Sequence, residues 1–258
     1  MSTSWNTELY LRFRKERTQP AIDLAARIEL ESPRRIVDIG CGPGTSTRVL
    51  WERWPAAEVI GLDNSLDMIA RARTEYPDRA WILGDPNDLD ARPGFDLVYS
   101  NAAIQWIPHH ERLIPHLQSL VTGAGALAVQ IPLYEGMPVR RAISDIAASE
   151  RWRERMAGVG SQMTFHTIDF YYDILSSRAA RLSMWETAYI HEMPSHESIV
   201  EMISSTGLRP YLERLHSDEE TGGFLADVLS AIRDAYREQR NGTVLFPFRR
   251  LFFVAYRQ

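Results

Sequence analysis

Ile36-Val37-Asp38-Ile39-Gly40-Cys41-Gly42-Pro43-Gly44 is the stretch that decides the fold. A short β-branched run enters a loop of alternating glycines, and residues 45–53 then carry helical spacing. Glycine reaches positive φ without a Cβ penalty and lets a ligand approach backbone N–H groups closely. A strand, a glycine loop and a helix in that order predict the first βα turn of a ligand-binding α/β sheet. The alternation continues outward. Strands are expected over 58–62, 80–83, 95–99 and 126–131, with Gly123-Ala124-Gly125 read as the turn into the last of these. Asn64 or Ser65 can cap a helix that Pro77 ends, and another helix is expected over 110–120. Strands alternating with helices at this spacing imply right-handed crossovers and a parallel sheet.

The second half changes character. Residues 168–177 read as helix, 182–193 as a long strand, 195–239 as helical and 244–256 as a terminal strand. The last two strands are expected to form an antiparallel hairpin on one side of the sheet. Phe224, Val228, Ile232 and Tyr236 recur every four residues, the stripe of a buried helix face. Two stretches, about 133–166 and 195–240, fall outside the sheet logic. They are expected to be additions to a single domain spanning 1–258, forming a mainly helical cap over one end of the sheet.

Composition narrows the function classes. The 258 residues include one cysteine, which excludes a disulfide framework and any multi-cysteine metal site. His166, His191 and His196 are isolated from one another, so no metal is expected. The net charge of −5 gives no overall pull toward nucleic acid or membrane. No run approaches the ~18 apolar residues of a membrane span, and the N-terminus lacks a signal-peptide pattern. A cytoplasmic, reduced protein is expected. Of the 29 basic residues 28 are arginine. Codon bias accounts for most of that excess, although arginine forks also suit carboxylates.

Three acids stand where strands end: Asp38, Asp63 after Ile60-Gly61-Leu62, and Asp85 in Gly84-Asp85-Pro86-Asn87. Ligands of open α/β sheets bind at the carboxyl ends of strands. A dinucleotide fingerprint needs a glycine at position 45, where Thr45 stands, and no Gly-Lys-Ser/Thr marks a phosphate loop. An acid at position 38 argues further against a phosphate and suits an ammonium. Asp63 can accept both hydroxyls of a ribose, and Asp85 can accept from an adenine amino group. S-adenosylmethionine carries an ammonium, a ribose and an adenine, and no phosphate.

These motifs resemble the class I, seven-stranded S-adenosylmethionine-dependent methyltransferases, and Phe95-Asp96-Leu97-Val98-Tyr99-Ser100-Asn101 resembles that family's fourth-strand motif. The resemblance implies a Rossmann-like, mostly parallel sheet with an antiparallel C-terminal strand. It implies that Gly40, Gly42 and Gly44 contact the methionine part, Asp63 the ribose and Asp85 the adenine. Asn64, Ser65 and Met68 would flank the adenosine, with Pro86 and Asn87 near the adenine. Asn101 and Ala102 would run beneath the methionyl chain, Cys41 would pack beside the ligand, and Arg17 would meet the cofactor carboxylate.

Segments beyond the core are similar to the branch of that family that methylates small polycarboxylates. They include Gln105-Trp106, Tyr171-Tyr172-Asp173-Ile174-Leu175-Ser176, Thr206-Gly207-Leu208-Arg209-Pro210 and Phe246-Pro247-Phe248-Arg249-Arg250. An ionised carboxylate needs no general base, so no catalytic acid or base is nominated. Arginines or histidines are expected on the non-reacting carboxylates, with Arg178, Arg209, Arg249 and Arg250 as candidates and Tyr10, Trp106, Gln130 and Tyr172 beside them. Each arginine taken alone also fits a solvated surface position. Two other readings stay open: a methyltransferase for another small acceptor, and a non-catalytic protein that binds the cofactor.

Overall fold

The computed structural model describes residues 14–90, 92–159, 163–204 and 206–257. In chain order the elements are α1 (Arg14–Ala26), β1 (Arg35–Ile39), α2 (Thr45–Arg53), β2 (Glu58–Asp63), α3 (Leu66–Glu75), β3 (Ala80–Leu83) and β4 (Phe95–Asn101). There follow α4 (His110–Ser119), β5 (Val121–Pro132), α5 (Pro138–Ala148), α6 (Ile168–Ser176) and β6 (Arg181–Met193). The chain closes with α7 (His196–Ser204), α8 (Arg209–Leu212), α9 (Asp218–Ala235) and β7 (Val244–Tyr256).

The strands form one sheet in the order β3-β2-β1-β4-β5-β7-β6. β1 lies parallel to β2 and β4, with Ile36 opposite Val59 on one side and Leu97 on the other. The sheet is mostly parallel, with antiparallel strands at its C-terminal side. A strand covered on both faces has no polar side to show, hence the unbroken burial of Ile36, Val37, Asp38 and Ile39. The strand order reverses between β1 and β4, which opens a crevice at their carboxyl ends.

One expectation needs correction. The fifth strand begins at Val121 rather than at 126. Phe95 pairs with Val121 and Leu97 with Ala126, so the Gly-Ala-Gly turn is an irregularity inside the ladder. Ala124 takes φ 61 there, and a side chain at Gly125 would lie 2.6 Å from the Asp96 carbonyl oxygen. Thr122 Oγ1 donates to Asp96 Oδ1 across the same break.

The chain divides into two compact units. The first comprises Lys15–Pro132, Met163–Thr187 and Leu251–Gln258, and holds α1–α4, α6 and β1–β5. Among the described residues the second comprises 133–159 and 188–250, and holds α5 and α7–α9; the division falls within β6 and β7. In the second unit the stripe on α9 is buried as expected. Trp152 Nε1 donates to Asp227 at 2.6 Å and its ring meets Phe224 edge-on. The Tyr236 hydroxyl accepts from Val139 N, and the Tyr236 carbonyl faces His196 Nε2 at 2.6 Å. Asn241-Gly242-Thr243 forms the turn before β7, with Gly242 at φ 84. Among the described residues no helix is long and apolar enough to cross a membrane.

Candidate cofactor and substrate site

Within the first unit, the glycine loop is fixed by its neighbours. The N–H groups of Gly40 and Cys41 both donate to the Leu62 carbonyl, at 2.7 and 3.0 Å. Gly40, Gly42 and Gly44 take φ values of 70, 55 and 91. A Cβ at Gly40 would lie 2.1 Å from Ala103 Cβ, whereas one at Gly42 would meet nothing within 4 Å. The first glycine therefore serves packing, and the second faces open space. The Cys41 thiol is buried and its pKa is pushed up, so it stays protonated and acts as a small packing group.

Asp38 is fully buried. Its Oδ2 accepts from the Ser46 and Thr47 hydroxyls, each at 2.7 Å, from the start of α2. Its Oδ1 is buried with no partner among the described residues. Burial raises its pKa to about 7 against the opposing hydroxyl bonds. Asp63 is half-buried at the end of β2; its Oδ2 accepts from Gly42 N at 2.9 Å and its Oδ1 from Ser65 N at 2.8 Å. Burial outweighs those two bonds and raises its pKa. Each oxygen keeps a second lone pair for an incoming hydroxyl.

Ser65 caps α3 by accepting from Met68 N; Met68 is buried and Asn64 exposed. Asp85 Oδ1 accepts from both the backbone and the side-chain nitrogen of Asn87 at 2.8 Å, around the buried Pro86. Asn101 closes β4, and its Oδ1 is buried without a partner among the described residues. Ala102 follows at φ 53, its N–H donating to the Gln130 carbonyl at 2.9 Å. The three acids thus stand at the carboxyl ends of β1, β2 and β3, the place the sequence predicts. The residues fit a zwitterionic adenosyl ligand. An ammonium would satisfy Asp38 Oδ1, and the open face of Gly42 leaves room for a close approach.

The expected substrate residues are divided between the units. In the first, Trp106 is half-buried at the end of a 3-10 turn, Gln130 is fully buried in β5, and Tyr172 and Arg178 are exposed. In the second, Arg209 is tied to Glu213 at 2.8 Å, and Arg249 is exposed. Arg250 is only 5% exposed, with its guanidinium 4.6 Å from the Phe248 ring centroid and 5.9 Å from that of Tyr189. Tyr10 and the side chain of Arg17 lie outside the described residues. Sequence reading did not single out His110, Gln105, His166 and Tyr171 as a group. They come together in the first unit from positions too far apart to form a motif.

The sheet order and the acid at each of three strand ends define an S-adenosylmethionine-dependent methyltransferase of the Rossmann-like class. Residues 36–125 match the methyltransferase domain model. Among solved structures, the chain is similar to the YcgJ protein from Bacillus subtilis (TM-score 0.60, 12% identity, 93% of this chain and 99% of that one). It is also similar to a Haemonchus contortus phosphoethanolamine N-methyltransferase 2 in complex with phosphomonomethylethanolamine and S-adenosylhomocysteine (TM-score 0.57, 17% identity, 93% and 52%). At those identities the likeness is one of fold. Curated relatives reach further. Trans-aconitate 2-methyltransferase of Escherichia coli O45:K1 (strain S88 / ExPEC) is 41% identical over 99% of both chains. That of E. coli O157:H7 (strain EC4115 / EHEC) is 40% identical over the same shares. The chain belongs to the trans-aconitate 2-methyltransferase family.

Proposed function

We propose that the chain transfers a methyl group from S-adenosylmethionine to one carboxylate of trans-aconitate or a close polycarboxylate. The products are a monomethyl ester and S-adenosylhomocysteine. The observation that carries this reading is the 41% identity to a trans-aconitate 2-methyltransferase along 99% of both chains. The buried Asp38 Oδ1, without a partner among the described residues, supports the cofactor half of it.

When bound, the cofactor supplies an electrophilic methyl on a positively charged sulfur. The protein's part is to hold and align. Asp38 Oδ1 would accept from the ammonium, Asp63 from the ribose hydroxyls and Asp85 from the adenine amino group. Asn101 and Ala102 would line the methionyl chain. Ser65 and Met68 support the adenosine by setting the start of α3. The acceptor is ionised at neutral pH, because carboxylic acids have pKa values near ~4, so no residue needs to take a proton. Catalysis then rests on in-line placement, reacting atoms roughly 3 Å apart, and exclusion of water. Sulfonium and carboxylate lose charge as they react, so a strong donor on the attacking oxygen would slow the step. In the second unit, buried Arg250 is therefore the candidate for a non-reacting carboxylate; in the first unit the candidates for the acid are Trp106, Gln130 and Tyr172. Arg178, Arg209 and Arg249 complete the candidate set. We infer a cytoplasmic site of action, with which a chain that has a single cysteine and no internal disulfide accords.

Incubation with methyl-labelled S-adenosylmethionine and a panel of di- and tricarboxylates tests the reading. Label in a base-labile ester of trans-aconitate is expected. No transfer to any acid would sink it, and transfer to a different acceptor would reassign the substrate.

A further inference from the structure

The polar cluster at the start of α4 has no part in the cofactor site, yet it braces the loop that follows Asn101. His110 is fully buried. Its Nε2 lies 2.8 Å from the Ile104 carbonyl and its Nδ1 2.6 Å from the Tyr171 hydroxyl. A carbonyl only accepts, so Nε2 carries the proton. Nδ1 then accepts from the Tyr171 hydroxyl, and the ring is neutral. Burial lowers the His110 pKa in agreement. Two further bonds hold the same loop: Gln105 Nε2 donates to the Ala102 carbonyl and Thr164 N to the Gln105 carbonyl, both at 2.7 Å.

His166 stands two residues beyond Thr164. Its ring stacks on Phe170 with centroids 3.8 Å apart and planes 11° apart, and lies 5.2 Å from the His110 ring. Its Nε2 is buried with no partner among the described residues. Packing therefore orients this imidazole, while its outer nitrogen is left unspent beside a loop held rigid on three counts. A buried polar atom without a partner costs about 1–3 kcal/mol, and such atoms persist where a ligand satisfies them. Trp106 and Asn101 flank the same loop, and Asn101 ends β4 at the crevice where the sheet order reverses.

We propose that His166 is a substrate-binding residue whose Nε2 donates to a non-reacting carboxylate of the polycarboxylate, with the Tyr171–His110 pair holding the loop against it. The proposal rests on the acceptor class given above and adds to it the residue that selects for an additional carboxylate. Neutral His110 places no competing cation beside the anion. The titratable groups facing His166 among the described residues are His110, Tyr171 and Glu111, the last already paired with His109 at 3.1 Å. Burial holds the His166 pKa below its ordinary value, and Glu111 opposes that shift. A bound carboxylate favours the imidazolium, so substrate binding takes up a proton and tightens as pH falls through the ordinary imidazole range.

The test is calorimetric binding of trans-aconitate to the full chain saturated with S-adenosylhomocysteine, at two pH values, for wild type, His166→Gln and His166→Phe. The phenylalanine variant keeps the stack on Phe170. His166→Phe should bind trans-aconitate roughly 10- to 100-fold more weakly, the loss of one hydrogen bond to a charged group, while His166→Gln keeps an N–H donor and should fall between it and wild type. Both variants should also lose the strengthening at lower pH while keeping wild-type affinity for S-adenosylhomocysteine. A His166→Phe variant that binds trans-aconitate within twofold of wild type overturns the role of His166 and leaves the proposed reaction standing. Wild-type protein that binds no polycarboxylate overturns both.

Discussion

At the scale of single residues, burial bears on Asp38 more than on Asp63 or Asp85 in the cofactor site. Asp38 is fully buried and has one oxygen unmatched. Its native pKa of about 7 lies above the ordinary 3.8, so the ligand-free protein binds an extra proton between those values. Stability from this group is therefore full below about pH 4, falls as pH rises to about 7, and is flat above. Asp38→Asn removes the penalty. The ligand-free variant should melt higher than wild type at pH 8 by an amount that shrinks as pH is lowered toward 4. It should also bind cofactor more weakly at pH 8; calorimetry and thermal melts measure both. Asp63→Ala should weaken cofactor binding by about 1.5–3 kcal/mol, since ribose hydroxyls lose a charged acceptor. Unchanged affinity would contradict the assignment of Asp63. The strand-end positions of Asp38, Asp63 and Asp85 were legible because Asp38 lies in a short apolar run and Asp63 and Asp85 follow one, and strand ends are where such sheets bind ligands. His166 was not legible, because its meaning comes from His110 and Phe170, and only folding brings Gln105, His110 and the 164–171 segment together.

At the scale of elements, the glycine loop separates two roles that one motif hides. Gly40 is pressed against Ala103, the residue after the positive-φ Ala102, so β1 and the loop after β4 touch without room for a methyl group. Gly40→Ala should lower stability by about 1–3 kcal/mol through overpacking in addition to its φ strain. Gly42→Ala meets no protein atom and bears only the φ strain, roughly 1–2 kcal/mol. It should fold and lose cofactor affinity out of proportion to its loss of stability. Urea titration beside cofactor binding distinguishes the two; a Gly42→Ala variant with unchanged affinity would remove that face from the ligand site. Helix and strand periodicity made α2, α3, β2 and β3 readable to within a residue. The start of β5 was missed because Gly123-Ala124-Gly125 has turn chemistry in sequence, while Val121 pairs with Phe95 before it and Ala126 with Leu97 after it. A break inside a ladder and a turn before one use the same residues.

At the scale of the whole molecule, the arginine excess now has an address. Arg35–Glu58, Arg151–Asp227, Arg155–Glu220, Arg181–Glu29 and Arg233–Glu197 are ion pairs with both partners partly or well exposed. Such pairs contribute little each, typically below about 1 kcal/mol. Among the described residues Arg250 is the one buried arginine, enclosed by Phe248 and Tyr189 rather than spread over the surface. Arg250→Ala should raise the KM for the polycarboxylate at least roughly tenfold and leave the cofactor KM unchanged, as steady-state kinetics would show. Equal rises in both would make Arg250 structural. Net charge gave no hint of this, because a total of −5 conceals one local cation. The central claim is that aligned ligands, with no proton taken by the protein, convert a carboxylate to an ester. Single-turnover transfer with cofactor and trans-aconitate both saturating at every pH, followed across pH with the product identified by mass and by base hydrolysis, tests it most directly. The expected result is a monomethyl ester formed at a rate independent of pH from about 6 to 9. A rate that climbs tenfold per pH unit, or a methyl group that survives base hydrolysis, would contradict it.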